Sequence, residues 1–362
     1  MRALHPLIRA EAADAERDRR ITRRVFRALV GAGATRLLAP ARLGGAEQDL
    51  PTWARTVEDL AQADGSTGWT AMTTSATSAL AWRMSDEGAE EVFGEASSVA
   101  AGTAAPLGRA TEVEGGHRIS GRWGWGSAVP LCDWVAGGAL TDAGPVVALF
   151  PAADVTVHDT WHAAGLRATA SHDWEVADVF VPTRRAARAG EIHLGHPLAA
   201  FPFLSFLAVG VAAVGMGIAL RAVEEIEKLA VIKTPQHTSQ PLAEQAGAQL
   251  ELARAQARLC SARAFLHAEL AERWEQTAAG RAASVPDRAR LRLACAHAAR
   301  EAAEVTRIAF ALGGGTAVFE TSALQRCLRD AHVAAQHTLV SQRVFQTYGR
   351  VRLLGEDSDD RL

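Results

Sequence analysis

Pro197-Leu-Ala-Ala-Phe-Pro-Phe-Leu-Ser-Phe-Leu-Ala-Val-Gly-Val-Ala-Ala-Val-Gly-Met-Gly-Ile-Ala-Leu220 contains no charged residue. A helix of that length is long enough to cross a bilayer. Two features favour burial inside a helical bundle instead. The run opens on Pro and is rich in Ala, Gly and Ser, and it leads straight into Arg221, Glu224, Glu225, Glu227 and Lys228 on the same helix. A helix that is apolar all round belongs in the interior of a larger helical assembly.

Outward from that run, the C-terminal side continues as long helices. Leu242 to Ala271 and Asp287 to Leu312 carry small and apolar residues at helical spacing, with charges between them. The loop at Pro235 and the break Gly313-Gly314-Gly315 separate the segments. Four long helices pack naturally as an antiparallel bundle. The last residues, Gly355 to Leu362, are acidic and read as a frayed end.

On the N-terminal side, from about Ser97 to Val181, short apolar runs are punctuated by Gly, Pro and Asp: Trp134 to Leu140, Val146 to Phe150 and Val176 to Val181. Glu114 to Gly121 reads as part of a hairpin with Gly115-Gly116 at its turn. Before that, Arg23 to Leu29, Thr52 to Ala63 behind Pro51, and Asp86 to Phe93 read as helices. The expected fold is mainly α with a central β domain. Its parts are an N-terminal helical domain (1–95), a β domain (96–190) and a C-terminal helical bundle (191–362).

Composition limits the function. The 362 residues are 48% hydrophobic and 22% charged, with a formal net charge of -3 and no basic stripe, so nucleic acid is not an expected partner. The four cysteines, Cys132, Cys260, Cys295 and Cys327, are far apart and lack metal-ligand spacing, which fits a reduced cytoplasmic compartment and no metal. Met1 to Arg20 has no apolar signal core. No GxGxxG stands at a strand-to-helix junction, so reducing equivalents are expected from elsewhere.

Four motifs follow one another along the chain. They are Pro40 to Gly45 (PARLGG), Gly121 to Ser127 (GRWGWGS), Trp161 to Pro182 (WHAAGLRATASHDWEVADVFVP), and Gly314-Gly315 followed by Arg326 and Arg329-Asp330. In this order they resemble the acyl-CoA dehydrogenase superfamily. The resemblance implies a helical N-terminal domain, a small β-barrel-like domain and a C-terminal four-helix bundle. It also implies a bound flavin. Ser127 would make a hydrogen bond near flavin N5 and Trp125 would flank the ring or serve as core. Thr169 and Ser171 match a flavin-lining T-G-S motif in which Ala170 replaces the usual Gly. Arg326 and Arg329 would pair with phosphate or a neighbouring subunit, and Arg329 equally with a structural acid. Gly314 and Gly315 would admit a phosphate or simply stop a helix.

The same resemblance separates two chemistries. Where many acyl-CoA dehydrogenases carry Tyr-Glu-Gly, this chain places His337 and Thr338. A Thr cannot replace a carboxylate base, whereas the two-component flavin hydroxylases carry a His at about that point. The implied activity is a monooxygenase that uses reduced FMN or FAD, supplied by a separate flavin reductase, and O2. An aromatic or natural-product intermediate is its expected substrate and a homotetramer its expected assembly. The alternative is an acyl-CoA dehydrogenase-type oxidoreductase.

His337 is then the expected base, since a near-neutral pKa suits removal of a phenolic proton of pKa roughly 10. On a continuous helix His332 would lie about 140° away from it. Several such hydroxylases carry a second His past the Trp of Ser66-Thr-Gly-Trp69; here that position falls on Thr77. Its absence opens the way to a substrate other than a simple phenol.

Overall fold

From Phe203 onward the uncharged run forms the first part of a 30-residue helix that is mostly buried, while Pro197–Ala200 is a short helix of its own. The computed structural model describes residues 1–188 and 195–355. Within them, helices α1 (His5–Arg17), α2 (Arg23–Gly31), α3 (Leu50–Ala63), α4 (Gly65–Ser78) and α5 (Asp86–Phe93) precede the sheet, and α6 (Pro197–Ala200), α7 (Phe203–Ile232), α8 (Ala246–Ala278), α9 (Val285–Gly313), α10 (Ala323–Ala334) and α11 (Gln342–Leu354) follow it. The sequence boundary at residues 190 and 191 lies outside the described residues, as does nearly all of the acidic C-terminal end.

Helix α7 packs against α3, α4, α8, α9 and α10, and 78% of its most apolar window is buried. Its Gly, Ala and Ser content serves close approach: a Cβ on Gly217 would sit 2.3 Å from the Glu58 carbonyl oxygen of α3. Helix starts follow local chemistry. Asp49 accepts from the Thr52 N–H, Asp64 from the Thr67 N–H, and Ser284 with Asp287 forms a capping box.

The bundle departs from four long helices. Three are long, with 30, 33 and 29 residues. The remaining wall is divided between α10 and α11, of 12 and 13 residues. Leu242 to Glu244 is a separate 3-10 turn, with Gln245 extended between it and α8. Because α10 ends at Ala334, His332 and His337 do not share a helix.

Between the two helical groups lie β1 (Ala100–Val113), β2 (Gly116–Gly126), β3 (Trp134–Thr141), β4 (Gly144–Pro151), β5 (Thr156–His158), β6 (His172–Pro182) and β7 (Ala186–Arg188). Their order is β5-β6-β2-β1-β3-β4-β7, antiparallel except for β1 beside β3. The β1–β2 turn is Glu114-Gly115, one residue earlier than the sequence suggests, because Gly116 already pairs with Val113. Trp123 of β2, Phe150 of β4 and Trp174 of β6 meet in one core, the two indoles stacked at 4.2 Å. Strands β4 and β6 are separated by three others in the ladder, so this contact requires the sheet to curl. That curl gives the barrel-like shape, although edge strands β5 and β7 do not pair with each other.

Candidate active site

Strand β2 ends in a distortion. Its register against β6 shifts between Trp123 and Gly126, and Trp125 and Ala128 take left-handed backbone conformations, φ 58° and 62°. Across from them, Leu166 and Ala170 do the same, φ 48° and 47°. Each such residue with a Cβ costs ~1–2 kcal/mol. Half of the eight non-glycine residues with positive φ among those described border this one place. Backbone strain of this kind gathers where function requires a fixed geometry.

The distortion aligns a row of hydrogen bonds. The Trp69 indole Nε1–H donates to Ser127 Oγ at 3.0 Å. Ser127 Oγ lies 2.7 Å from Ser171 Oγ, which lies 2.6 Å from Thr169 Oγ1. Thr169 Oγ1 donates to the Leu166 carbonyl at 2.8 Å. The Ala128 N–H also reaches the Thr169 carbonyl, tying the end of β2 to this segment. Ser127, Thr169 and Ser171 are buried, while the Trp125 indole beside them is 73% exposed.

Helix α4 forms a second wall. Almost wholly buried, it leaves only Trp69, Thr73 and Thr77 partly open, at successive four-residue intervals and therefore on one face. Thr77, at the place of the missing second His, thus shares a face with Trp69. The Trp69 ring lies 5.9 Å from the ring of His337. His337 stands just past α10, where it caps the 3-10 turn Thr338–Val340: its Nδ1 accepts the Leu339 N–H at 3.3 Å. Burial, with Arg292 adding to it, lowers its pKa to about 4. Neutral His337 with Nδ1 accepting must carry its proton on Nε2.

Asp330 joins the two walls. Its Oδ1 accepts the Leu166 N–H at 2.6 Å, and the neighbouring Arg329 donates to the Ala164 carbonyl at 2.6 Å. Between those contacts Gly165 has no room for a side chain, since a Cβ would fall 2.3 Å from the Arg329 carbonyl oxygen. Burial, then the nearby Asp64, pushes Asp330 up to about 7. Contacts therefore run in a closed circuit: Asp330, Leu166, Thr169, Ser171, Ser127, Trp69, His337 and back along the chain to α10.

The sequence-derived residues separate accordingly. The structure brings together Ser127, Thr169, Ser171 and His337, with Trp125 alongside. Arg326 lies apart, 3.7 Å from Glu16 and 3.8 Å from Asp64, beside a cavity of about water size that Asp330 also lines. Arg329 pairs with Glu16, the structural alternative. Gly314 and Gly315 stand at the end of α9, where, among the described residues, a Cβ built on Gly314 would meet Lys233 Nζ. Trp69, Leu166 and Asp330 were not identified as site residues from sequence. The Trp of Ser66-Thr-Gly-Trp69 was legible as a motif, but nothing local told that its N–H reaches β2.

A flat heteroaromatic cofactor fits these residues, because the exposed Trp125 indole offers a face beside a row of buried hydroxyls that can meet a polar ring edge. The acyl-CoA dehydrogenase N-terminal domain family matches residues 4–93 and the acyl-CoA dehydrogenase C-terminal domain family residues 209–342. Indole-3-acetate monooxygenase of Pseudomonas putida is 35% identical over 348 residues, 94% of this chain and 89% of that protein. The flavin-dependent monooxygenase oxygenase subunit HsaA of Rhodococcus jostii is 28% identical over 96% of this chain and 95% of its own. The crystal structure of 3-HSA hydroxylase from Rhodococcus sp. RHA1 matches with a TM-score of 0.92 at 26% identity, over 99% of this chain and 96% of that one.

The chain belongs to the acyl-CoA dehydrogenase superfamily, in its branch of two-component flavin-dependent monooxygenases. It is an oxidoreductase that works with reduced flavin and O2.

Proposed function

We propose that this chain is the oxygenase component of a two-component system, takes reduced flavin from a separate reductase, and hydroxylates an electron-rich aromatic ring such as an indole. The observation that carries the reading is the hydroxyl row ending at Trp69, with His337 against the same indole. Reduced flavin, when bound, supplies the two electrons with which O2 is divided between product and water. The chain's own residues do the rest. Trp125 offers a face to the ring and Ser127 a polar contact at its edge, while Trp69, Thr73 and Thr77 of α4 stand along a second wall.

His337 acts in this reading as a donor. With a pKa of about 4 it would take a proton from a phenol of pKa roughly 10 only at a cost of ~8 kcal/mol. Its Nε2–H can instead hold an oxygen or a ring edge of the substrate in place. An indole needs no ionisation to be nucleophilic, which suits a weakly basic His337 and the Thr at position 77. The acyl-CoA dehydrogenase alternative needs a carboxylate at the substrate. Thr338 and Glu320 are both exposed, and among the described residues burial and Arg292, not an acid, set the direction in which the His337 pKa moves.

The assembly follows as a homotetramer in a cytoplasmic setting. Exposed Val231, Ile232, Val318, Phe319, Leu353 and Leu354 offer apolar surface for association, and all four cysteines are free. Light scattering tests the assembly. The decisive assay supplies NADH, a flavin reductase, ¹⁸O₂ and a panel of indoles, phenols and acyl-CoA esters. One labelled oxygen in an indole product is the expected result. Bleaching of bound flavin by an acyl-CoA, without oxygen incorporation, would overturn the reading.

A further inference from the structure

The direction of every proton in the hydroxyl row follows by elimination. The Leu166 carbonyl can only accept, so the single proton of Thr169 Oγ1 points to it. Thr169 must then accept from Ser171, and Ser171 from Ser127. At the far end the Trp69 indole can only donate, and it donates to Ser127. The hydroxyl and indole protons fill the row's bonds in one arrangement. Ser127, its proton committed to Ser171, offers any further partner a lone pair and no hydrogen.

We propose that Thr169 sets the redox state of the flavin this site accepts, by holding the row in the direction that makes Ser127 an acceptor. The inference rests on the reading of these residues as a flavin site. Dihydroflavin carries a hydrogen on ring nitrogen N5, whereas the oxidised ring has a lone pair there. An acceptor at that edge gains a hydrogen bond from the reduced ring and faces a second acceptor in the oxidised one. Thr169 is 1% exposed and acts through Ser171 and Ser127, so it is a positioning residue.

Removing the Thr169 hydroxyl frees the row to reverse. Ser171 can then donate to Ser127, and Ser127 can turn its proton outward toward an oxidised ring. The Leu166 carbonyl is not orphaned by the change. It keeps the Trp161 Nε1–H at 3.0 Å and the Thr169 N–H at 3.2 Å. Thr169→Val preserves the shape of the side chain, and Thr169→Ser preserves the hydroxyl.

Anaerobic calorimetry with FMN and FAD, each in oxidised and photoreduced form, tests this on the full chain. The wild type is expected to bind the reduced forms more tightly. In Thr169→Val the ratio of oxidised to reduced Kd should fall about tenfold, the worth of one buried hydrogen bond. Thr169→Ser should restore it. If Thr169→Val does not fold, Ser171→Ala strips Ser127 of the same acceptor and should lower the ratio likewise. An unchanged ratio in the folded variant, or an equal fall in Thr169→Ser, overturns the role of Thr169. A wild type that binds neither redox form overturns the flavin reading, and this inference with it.

Discussion

On the sheet side of the site, Ser127, Ser171 and Thr169 are neutral, buried and oriented by hydrogen bonds that no ordinary pH alters. On the helix side, Asp330 and His337 are ionisable groups whose surroundings move their pKa values in opposite directions, Asp330 up and His337 down, each toward its uncharged form. The sheet side achieves its geometry through strained backbone, and the helix side through burial and a helix end. Both walls favour the uncharged forms of their groups, which suits a site that holds a planar ring. They differ in what perturbs them: the sheet side answers to changes in shape, the helix side to pH.

The largest effect should appear in the pH dependence of stability, with opposite signs for the two helix-side groups. Asp330 is raised from 3.8 to about 7. Between those values the unfolded chain ionises while the native one stays protonated, so this group removes stability as pH rises, by at most about 4 kcal/mol. His337 is lowered from 6.5 to about 4. Between those values the unfolded chain takes up a proton that the native state refuses, so this group removes stability as pH falls, by at most about 3 kcal/mol. Urea unfolding from pH 4 to 7 reads both. The stability of Asp330→Asn relative to wild type should rise with pH across that range. That of His337→Gln should fall from pH 4 to 6.5. Slopes of the same sign in both variants would end the contrast between the groups.

Next in size is the rate. Loss of the Nε2–H donor in His337→Ala should lower coupled turnover by ~10²-fold, as removal of one preorganised donor does. Reduced-flavin affinity, which depends on the sheet side, should stay within about twofold. High pH should not restore the rate. Recovery as a phenolic substrate ionises would instead return His337 to the part of a base. His332 is exposed, with its Nδ1 near the Leu328 carbonyl, and His332→Ala serves as the control that keeps full turnover.

The smallest effect concerns strain on the sheet side. Ala170 holds φ 47° where the resembling motif has Gly. Ala170→Gly relieves the Cβ clash and loses some unfolded-state restriction, for a net gain of roughly 0.5–1 kcal/mol. A modest rise in melting temperature checks it. A fall would mean that the left-handed conformation costs Ala170 nothing.

Several elements were legible in the sequence because local forces decide them. Asp86 to Phe93 is legible as a helix, since its Ser85 cap and apolar spacing are both local. The uncharged run is legible as a buried helix because its composition has no solvent-facing side. The end of α10 was not legible. Ala-rich sequence around Ala334 continues the helical pattern, yet the chain leaves it and His337 turns to cap the next turn. The pairing of Arg326 was equally hidden, because Glu16 and Asp64 reach it from distant parts of the chain.

By itself, the sequence determined the order of helical, β and helical segments and supplied the hydroxyls, indoles and histidine that the site uses. Hydrophobic spacing and turn chemistry act over a few residues, so they can be read from one strand of text. The tertiary structure alone decided how those groups work. Trp69 meets Ser127 across 58 residues, and Asp330 meets Leu166 across 164. The direction of each proton in the row, and the nitrogen on which His337 carries its own, depend on partners that only folding brings within 3.5 Å, because a hydrogen bond is defined by its acceptor as much as by its donor.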